Sequence, residues 1–236
     1  MNQLSVISSA LVVLTSATVY AGENKETSEK SDWFGELRVS HEVSDSISIS
    51  DSTSGNDKMQ TFRGVEVSSL TSFGAAVGKR FDNDFYLSLG LEKFGSPEVK
   101  ATGGYTTVGG DVTTSATFPF EMTNYMIEVG VANQISENFD LRLFGGLGLA
   151  SAKSKDWSAV TSGVSGFASS RATTKSNTSM RVGFGLGYKL NEGTQLVTAV
   201  QYSNYGEVFW KNSDNNNGIT AKIKSVEAGI RLVFDL

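Results

Sequence analysis

The residues of this chain with the clearest chemical potential are a lone histidine and a set of acidic and basic side chains. His41 is the only histidine and stands between Ser40 and Glu42. A histidine beside a serine and a carboxylate could activate a nucleophile, provided that the base reaches the hydroxyl. Adjacent side chains of an extended strand point to opposite faces, so Ser40 and His41 are not expected to meet. We therefore predict no catalytic residues.

A second set of ionisable residues shares one face of several alternating segments. Isolated burial of any one charge would be costly, so we expect these groups to pair within an enclosed polar interior. This predicted lumen charge network has four members of each sign, namely Glu36, Glu92, Glu128, Glu227, Arg38, Arg142, Arg181 and Arg231.

The segments that carry these residues are eight predicted strands. Three pairs are joined by very short turns rich in Asn, Asp and Gly, at 82–84, 136–138 and 191–193, and these residue types favour tight turns. The connections at the other end are long and rich in Ser, Thr, Gly and Asn. They cover about 44–68, 95–117, 151–179 and 206–220.

Each predicted strand separates an apolar face from a polar one. In the last strand, Val226, Ile230 and Phe234 alternate with Glu227 and Arg231. Only the polar faces contain the charges, whereas a soluble barrel would keep its apolar face inside. The pattern therefore predicts an all-β, eight-stranded antiparallel transmembrane β-barrel with short periplasmic turns and long extracellular loops. Two aromatic girdles are predicted at Trp33, Phe81, Phe85, Phe139, Tyr188 and Phe234 below, and at Phe73, Phe94, Tyr125 and Tyr202 above.

The composition of the chain excludes several classes of partner and cofactor. The chain has 236 residues, 25 glycines, no cysteine and a formal net charge of -5. Without a concentrated basic patch we expect no nucleic-acid partner, and without cysteine there are no disulfides or thiolate metal sites. We predict neither a cofactor nor a metal site.

The N-terminal residues resemble an export signal. An apolar run is followed by small residues at the end of segment 1–21, and a polar segment follows at 22–31. No later apolar stretch approaches the roughly 20 residues of a membrane helix. We divide the chain into a signal peptide at 1–21, a flexible leader at 22–31 and an outer-membrane β-barrel at 32–236.

Three glycine-rich segments with aromatic residues carry a family resemblance, 72–85 (SFGAAVGKRFDNDF), 136–148 (SENFDLRLFGGLG) and 182–191 (VGFGLGYKLN). They resemble the outer-membrane β-barrel superfamily typified by the transmembrane domain of outer-membrane protein A and by opacity-type porin-family proteins. The resemblance implies location in the bacterial outer membrane, among its lipid and lipopolysaccharide. It also implies that the barrel-assembly machinery reads a C-terminal signal, which here is Glu227, Gly229, Leu232 and Phe234, although Asp235 and Leu236 follow the aromatic.

The resulting functional prediction is a structural or surface-interaction role, with the lumen plugged by its charges. A host-surface or phage ligand would bind the loops, where the candidate anchors are Trp157, Phe167, Phe209 and Trp210. One alternative is a small gated pore in which the charged pairs exchange partners. A second alternative, implied by resemblance to enzymes that modify lipid A, uses His41 with a partner such as Asp45, Ser46 or Asp51.

Overall fold

The computed structural model describes residues 32–51, 62–68, 70–81, 84–107, 110–161, 164–168, 170–212 and 218–236. The predicted signal peptide and leader, residues 1–31, lie outside the described residues. No helix in the described ranges is long and apolar enough to cross a bilayer. The strands are β1 (Trp33–Asp51), β2 (Phe62–Ser68), β3 (Thr71–Arg80), β4 (Phe85–Phe94), β5 (Glu98–Thr107), β6 (Gly110–Gln134), β7 (Phe139–Ser154), β8 (Trp157–Thr161), β9 (Val164–Ala168), β10 (Ser170–Arg171), β11 (Thr174–Asn191), β12 (Thr194–Asn212) and β13 (Gly218–Asp235).

Eight of these strands close an antiparallel ring in the order β1, β3, β4, β6, β7, β11, β12 and β13. The ring closes where β13 pairs with β1, from Phe34 opposite Asp235 to Asp51 opposite Ile219. Short turns join its strands at the periplasmic end, as in the backbone bond from Phe81 N to Phe85 O at 2.8 Å. The predicted eight-stranded transmembrane barrel is confirmed.

The two faces of the ring follow the alternation of the sequence. Apolar side chains such as Leu89 and Ile127 point outward and are 57% and 52% exposed, whereas the alternate residues are buried in the lumen. Trp33, Phe81, Phe85, Phe139 and Tyr188 are exposed near the periplasmic ends of their strands. Phe94 is an exception to the predicted upper girdle, because its parity turns it into the interior, where it is buried against Tyr205.

Above the membrane the strands continue as a two-layered structure that we call the cap. One layer is β2-β5-β6-β8-β9, and the facing layer is formed by the upper parts of β1, β13 and β12 together with β10. Much of the sequence that predicts long loops is therefore paired β-structure. The buried side chains between the layers form an apolar cluster, which includes Phe118, Phe120, Val99, Trp210 and Ile223.

A β-bulge on β12 decides which side chains enter this cluster. The pairing with β13 shifts between Asn204 and Gly206, and Gly206 has a positive φ of 81°. An extra residue reverses the strand's parity, so Val208 and Trp210 lie inside. Trp210 is therefore not a surface anchor, because its ring packs 5.4 Å from that of Phe118.

Candidate functional site: the barrel lumen

Six charged residues meet in the middle of the lumen, and we call them the ion-pair network. They are contributed by five strands, and none is more than 6% exposed. Gly74 of the intervening strand β3 provides room between two of them, since a Cβ there would lie 2.7 Å from Glu92 Cγ and 3.0 Å from Arg38 Cγ. The network comprises Glu36 and Arg38 of β1, Glu92 of β4, Glu128 of β6, Arg181 of β11 and Arg231 of β13.

Glu128 is the central acceptor of the network. Its Oε1 accepts from Arg231 Nη1 at 2.6 Å, and its Oε2 lies 3.4 Å from Arg38 Nη1 and 4.0 Å from Arg181 Nη1. Glu92 takes a two-pronged contact from Arg181, and Glu36 Oε1 lies 2.8 Å from Arg38 Nε. Three carboxylates and three guanidinium groups are thus balanced in a space from which solvent is excluded.

Glu227 is fully buried but lies outside these ion pairs. Four neutral side chains surround its carboxylate, a group that we call the Glu227 cage. Oε2 accepts hydrogen bonds from Ser40 Oγ at 2.9 Å and Gln201 Nε2 at 2.8 Å. Oε1 accepts from Tyr205 Oη at 2.6 Å and Ser225 Oγ at 2.5 Å. Gln201 also accepts from Arg231 Nη2 at 3.0 Å, which joins the cage to the ion-pair network.

Arg142 also lies apart from the six, nearer the periplasmic end. Its guanidinium contacts Asp140, with Nη2 at 3.4 Å from Oδ2, and donates to Gln195. Its Cζ is 6.0 Å from the centroid of the Tyr86 ring. The eight predicted network residues are therefore distributed over three groups of contacts, with six in one network.

Below the ion-pair network lies an aromatic layer formed by Phe34, Tyr86 and Phe144 with Val197, Ala199 and Val233. Each ring lies directly across from a glycine of the next strand, in the pairs Phe34–Gly78, Tyr86–Gly130 and Phe144–Gly183. A Cβ on any of these glycines would come within 2.6 Å of the opposing ring. Arg231 joins this layer to the network, with its Cζ 3.9 Å from the Phe144 ring centroid.

Above the network, the Glu227 cage adjoins the apolar cluster of the cap. Tyr205 donates to Glu227 and packs its ring edge-on against Phe94, with centroids 4.9 Å apart. Trp210 Nε1 donates to Pro119 O at 3.1 Å, which ties the two layers of the cap together. The lumen is thus occupied successively by aromatic, charged and apolar side chains.

The neutral partners Gln201 and Tyr205 and the three lumenal glycines are not among the residues predicted from the sequence. A usable signal was present for each of them. Gln201 lies directly across from Glu227, and each glycine has an aromatic residue at the corresponding position of a neighbouring predicted strand. Tyr205 has the same inward parity as Gln201 and Ser203, so the alternation of the strand also assigns it to the lumen.

The residues of the predicted assembly signal lie along β13. Glu227 points into the lumen, and a Cβ on Gly229 would lie 2.8 Å from Val39 O. Leu232 is between Leu37 and Leu196 in the register of the three strands. Phe234 lies directly across from Gly35, whose missing side chain leaves room for the ring.

A closed ring of eight antiparallel strands with an apolar outer wall is the geometry of an outer-membrane barrel. A family model described as "Outer membrane protein beta-barrel domain" matches residues 8–231. The chain belongs to this outer-membrane β-barrel family. The family resemblance inferred from the sequence is confirmed, and so is location in the bacterial outer membrane.

A solved structure of an outer-membrane protein shares this fold. The outer membrane protein OprG from Pseudomonas aeruginosa is 15% identical, with 88% of this chain and 97% of that chain covered and a TM-score of 0.52. Neisserial surface protein A is 13% identical, with coverages of 86% and 98% and a TM-score of 0.45. A search of curated proteins found no match. At this identity the similarity to OprG shows the fold alone.

For an outer-membrane barrel the outer wall around His41 faces lipid. His41 is exposed and its Nδ1 lies 2.8 Å from Thr71 Oγ1, whereas Ser40 is buried in the Glu227 cage. The two side chains therefore face opposite sides of the wall. The side chains of the candidate partners Asp45, Ser46 and Asp51 lie outside the described residues, and so does that of Phe167.

Two further features bear on ligand binding. An open apolar groove of about 610 Å³ crosses the outer wall beside His41, between Phe184, Val200 and Ile230. Within the described ranges, no group of three or more His, Cys, Asp and Glu side chains could hold a metal ion.

Proposed function

We propose that this protein is a sealed outer-membrane barrel whose role is structural or interactive at the cell surface, and that it does not act as a conducting channel. The main support is the buried ion-pair network, in which side chains from five strands meet across the lumen. Buried charges that satisfy one another are costly to separate, because removing one partner leaves the other unpaired in a low-dielectric interior.

The layers on either side of the network support the same proposal. An eight-stranded barrel has an interior that side chains can fill. Here Phe34, Tyr86 and Phe144 occupy the periplasmic side, and the cap cluster with Trp210 occupies the extracellular side. A continuous water path would have to displace three kinds of packing, each stabilised by different interactions.

Potassium efflux from liposomes tests the seal. We expect efflux with the wild-type barrel to match that of protein-free liposomes. We expect liposomes with the Arg181→Glu variant to lose potassium, because the substitution replaces the ion pair with Glu92 by two neighbouring carboxylates that repel each other. Lys189→Glu, an exposed charge reversal at the periplasmic end, is the matched control and should not leak. Sustained efflux through the wild type would instead favour the small gated pore.

A surface-interaction role is supported by the cap, which has its own apolar cluster and can hold an outward polar face rigidly. Glu66 and Lys100 are exposed directly across from each other on β2 and β5. We propose that this face meets a host-surface or phage ligand. The charge swap Glu66→Lys with Lys100→Glu keeps the pair but reverses its pattern. Phage adsorption or host-cell attachment should fall at least several-fold in the swapped protein. Its heat-modifiable migration should be unchanged, which shows that it is folded. Unaltered binding by the swapped protein would count against this face.

We also propose that the C-terminal strand is the segment recognised by the barrel-assembly machinery. Phe234 packs over Gly35 at the seam where β13 joins β1. Phe234→Ala should slow accumulation of the folded form in cells, whereas Leu236→Ala, at the exposed chain end, should not. Equal accumulation of both variants would argue against a signal that depends on Phe234.

We do not propose an enzymatic role, since His41 and Ser40 point to opposite sides of the wall. His41→Ala should leave the lipid A acyl-chain profile of cells unchanged. An altered profile would restore the lipid A-modifying alternative.

A further inference from the structure

Three lysines lie together on the outer surface immediately above the lipid-facing belt. They are Lys93 near the end of β4, Lys153 near the end of β7 and Lys155 just beyond β7. Lys93 and Lys153 are exposed, and Lys155 is partly exposed. Glu121 of β6 lies directly across from Lys153, pairs with Lys155 and is itself exposed.

The strand registers fix the height of this group. The outward residues Leu91, Tyr125 and Leu149 form one row across β4, β6 and β7, and all three are exposed apolar side chains of the belt. In the next row toward the extracellular end of the strands, Lys93 lies across from Thr123. One row further, Glu121 lies across from Lys153. A strand rises about 3.3 Å per residue, so both lysines lie within about 13 Å of the row formed by Leu91, Tyr125 and Leu149.

The electrostatics of the group leave an excess of positive charge. Lys155 Nζ lies 2.9 Å from Glu121 Oε1, in an ion pair whose side chains are 41% and 51% exposed. The hydrogen bond from Lys155, followed by the charges of Lys155, Lys153 and Lys93, lowers the pKa of Glu121. Asp156 directly follows Lys155, so three lysines and two carboxylates leave the group with a formal charge of +1.

We propose that Lys93, Lys153 and Lys155 form a binding site for the phosphate groups of lipopolysaccharide in the outer leaflet. The sugar phosphates of this lipid are anionic and lie at the boundary where the acyl chains end. Ammonium groups at that height attract such phosphates, while Tyr125 and Leu149 below them contact the acyl chains. The Lys155–Glu121 pair sets the position of one lysine, and Lys93 and Lys153 supply the additional charge. This inference rests on the location of the protein in the outer membrane. It is independent of the proposal that the lumen is sealed.

The test measures binding of diphosphoryl lipid A to the folded protein in detergent, by native mass spectrometry at two salt concentrations. The test variant is Lys93→Gln with Lys153→Gln, which retains the Lys155–Glu121 pair. The control is Lys222→Gln with Lys189→Gln, which removes the same number of charges from exposed positions on the cap and at the periplasmic end. Heat-modifiable migration establishes that every variant is folded.

We expect the test variant to bind diphosphoryl lipid A on the order of tenfold more weakly than the wild type, since each lysine near an anionic lipid surface contributes a severalfold effect. The control should bind like the wild type, and high salt should reduce the difference because the charges are exposed. Dephosphorylated lipid A should bind all the proteins equally weakly. Inorganic phosphate should compete only at high concentration, because it lacks the acyl chains.

Two results would overturn the proposal. One is equal affinity of the wild type and the Lys93/Lys153 variant for diphosphoryl lipid A. The other is wild-type binding of dephosphorylated lipid A as strong as that of the diphosphoryl form. Competition by inorganic phosphate at low concentration would show a site for the free anion and would likewise contradict a lipid site.

Discussion

Arg181 and Glu92 form a two-pronged ion pair across the lumen, with Nη1 to Oε1 at 2.7 Å and Nη2 to Oε2 at 2.5 Å. The two residues are on β11 and β4, which are separated by β6 and β7 in the ring. The pair therefore bridges the interior between strands that do not touch through hydrogen bonds. It links the two sides of the barrel more directly than any backbone pairing could.

Removing either member of this pair should be strongly destabilising. Arg181→Met or Glu92→Met leaves a buried charge without its partner, at a cost of about 3 kcal/mol or more in the free energy of unfolding. The double variant should recover much of that loss, because no unpaired charge remains between these positions. Urea titration followed by gel migration measures all three, and a loss in the double variant equal to the sum of the single losses would contradict direct coupling.

Tyr205→Phe tests the Glu227 cage. It removes one hydroxyl donor from a fully buried carboxylate and should lower the free energy of unfolding by about 1–3 kcal/mol. Tyr202→Phe is the matched control, because Tyr202 is on the same strand but faces outward and is 37% exposed. Urea titration should separate the two variants, and equal midpoints would mean that the Tyr205 hydroxyl is not needed to satisfy Glu227.

Gly183→Ala tests the packing of the aromatic layer. A Cβ at this position would lie 2.5 Å from Phe144 Cζ and 2.7 Å from the backbone oxygen of Val200. The overpacking should destabilise the barrel by about 1–3 kcal/mol. Gly145→Ala should be tolerated, since its nearest neighbour is Arg181 O at 3.6 Å. The two variants are compared by the temperature at which the folded band disappears on gels. Equal heat resistance of the Gly183→Ala and Gly145→Ala bands would refute tight packing.

Trp210→Ala tests whether the cap is held by its own apolar cluster. Loss of the buried indole should lower the free energy of unfolding of the cap by about 3–5 kcal/mol. It should therefore increase proteolytic cleavage of the cap strands. The membrane-embedded ring should still show heat-modifiable migration. Val160→Ala, which truncates an exposed apolar residue of β8, should leave the cleavage rate unchanged. Equal protease resistance of the two variants would show that Trp210 does not hold the layers together.

Acidification should weaken the contact between β11 and β12 outside the membrane. The hydrogen bond from Lys175 lowers the pKa of Glu207 below its ordinary value of 4.5. Because the folded pKa is the lower one, the stabilisation is fully present above pH 4.5 and is lost as the pH falls through the folded value. Protease sensitivity of the cap should therefore rise below pH 4.5 in the wild type and change less with pH in Lys175→Gln. Identical pH profiles would contradict a role for this pair.

The barrel could be predicted because its strands obey one simple rule. Residues such as Leu89 and Ile127 alternate with buried polar ones at period two, and lipid selects the outer face at every position. The same rule assigns Glu92, Glu128 and Arg181 to the lumen, but it does not determine which carboxylate meets which guanidinium. Those pairings depend on distances across the ring, which are set by strand tilt and register and not by any local pattern.

The cap could not be predicted in the same way. Its strands contain many Ser, Thr and Gly residues, whose alternation is weak, and such composition is typical of loops. The bulge before Gly206 then reverses the parity of β12, so a period-two extrapolation assigns Trp210 to the wrong face. A single inserted residue thus converts a predicted surface anchor into a core side chain.

The most direct test of the sealed lumen is single-channel recording of the wild-type protein in a planar bilayer, with correct folding verified by heat-modifiable migration. We expect no steady ionic current at moderate voltage, because the ion-pair network and the layers above and below it fill the lumen. Discrete, long-lived conductance steps from the folded wild-type protein would contradict it.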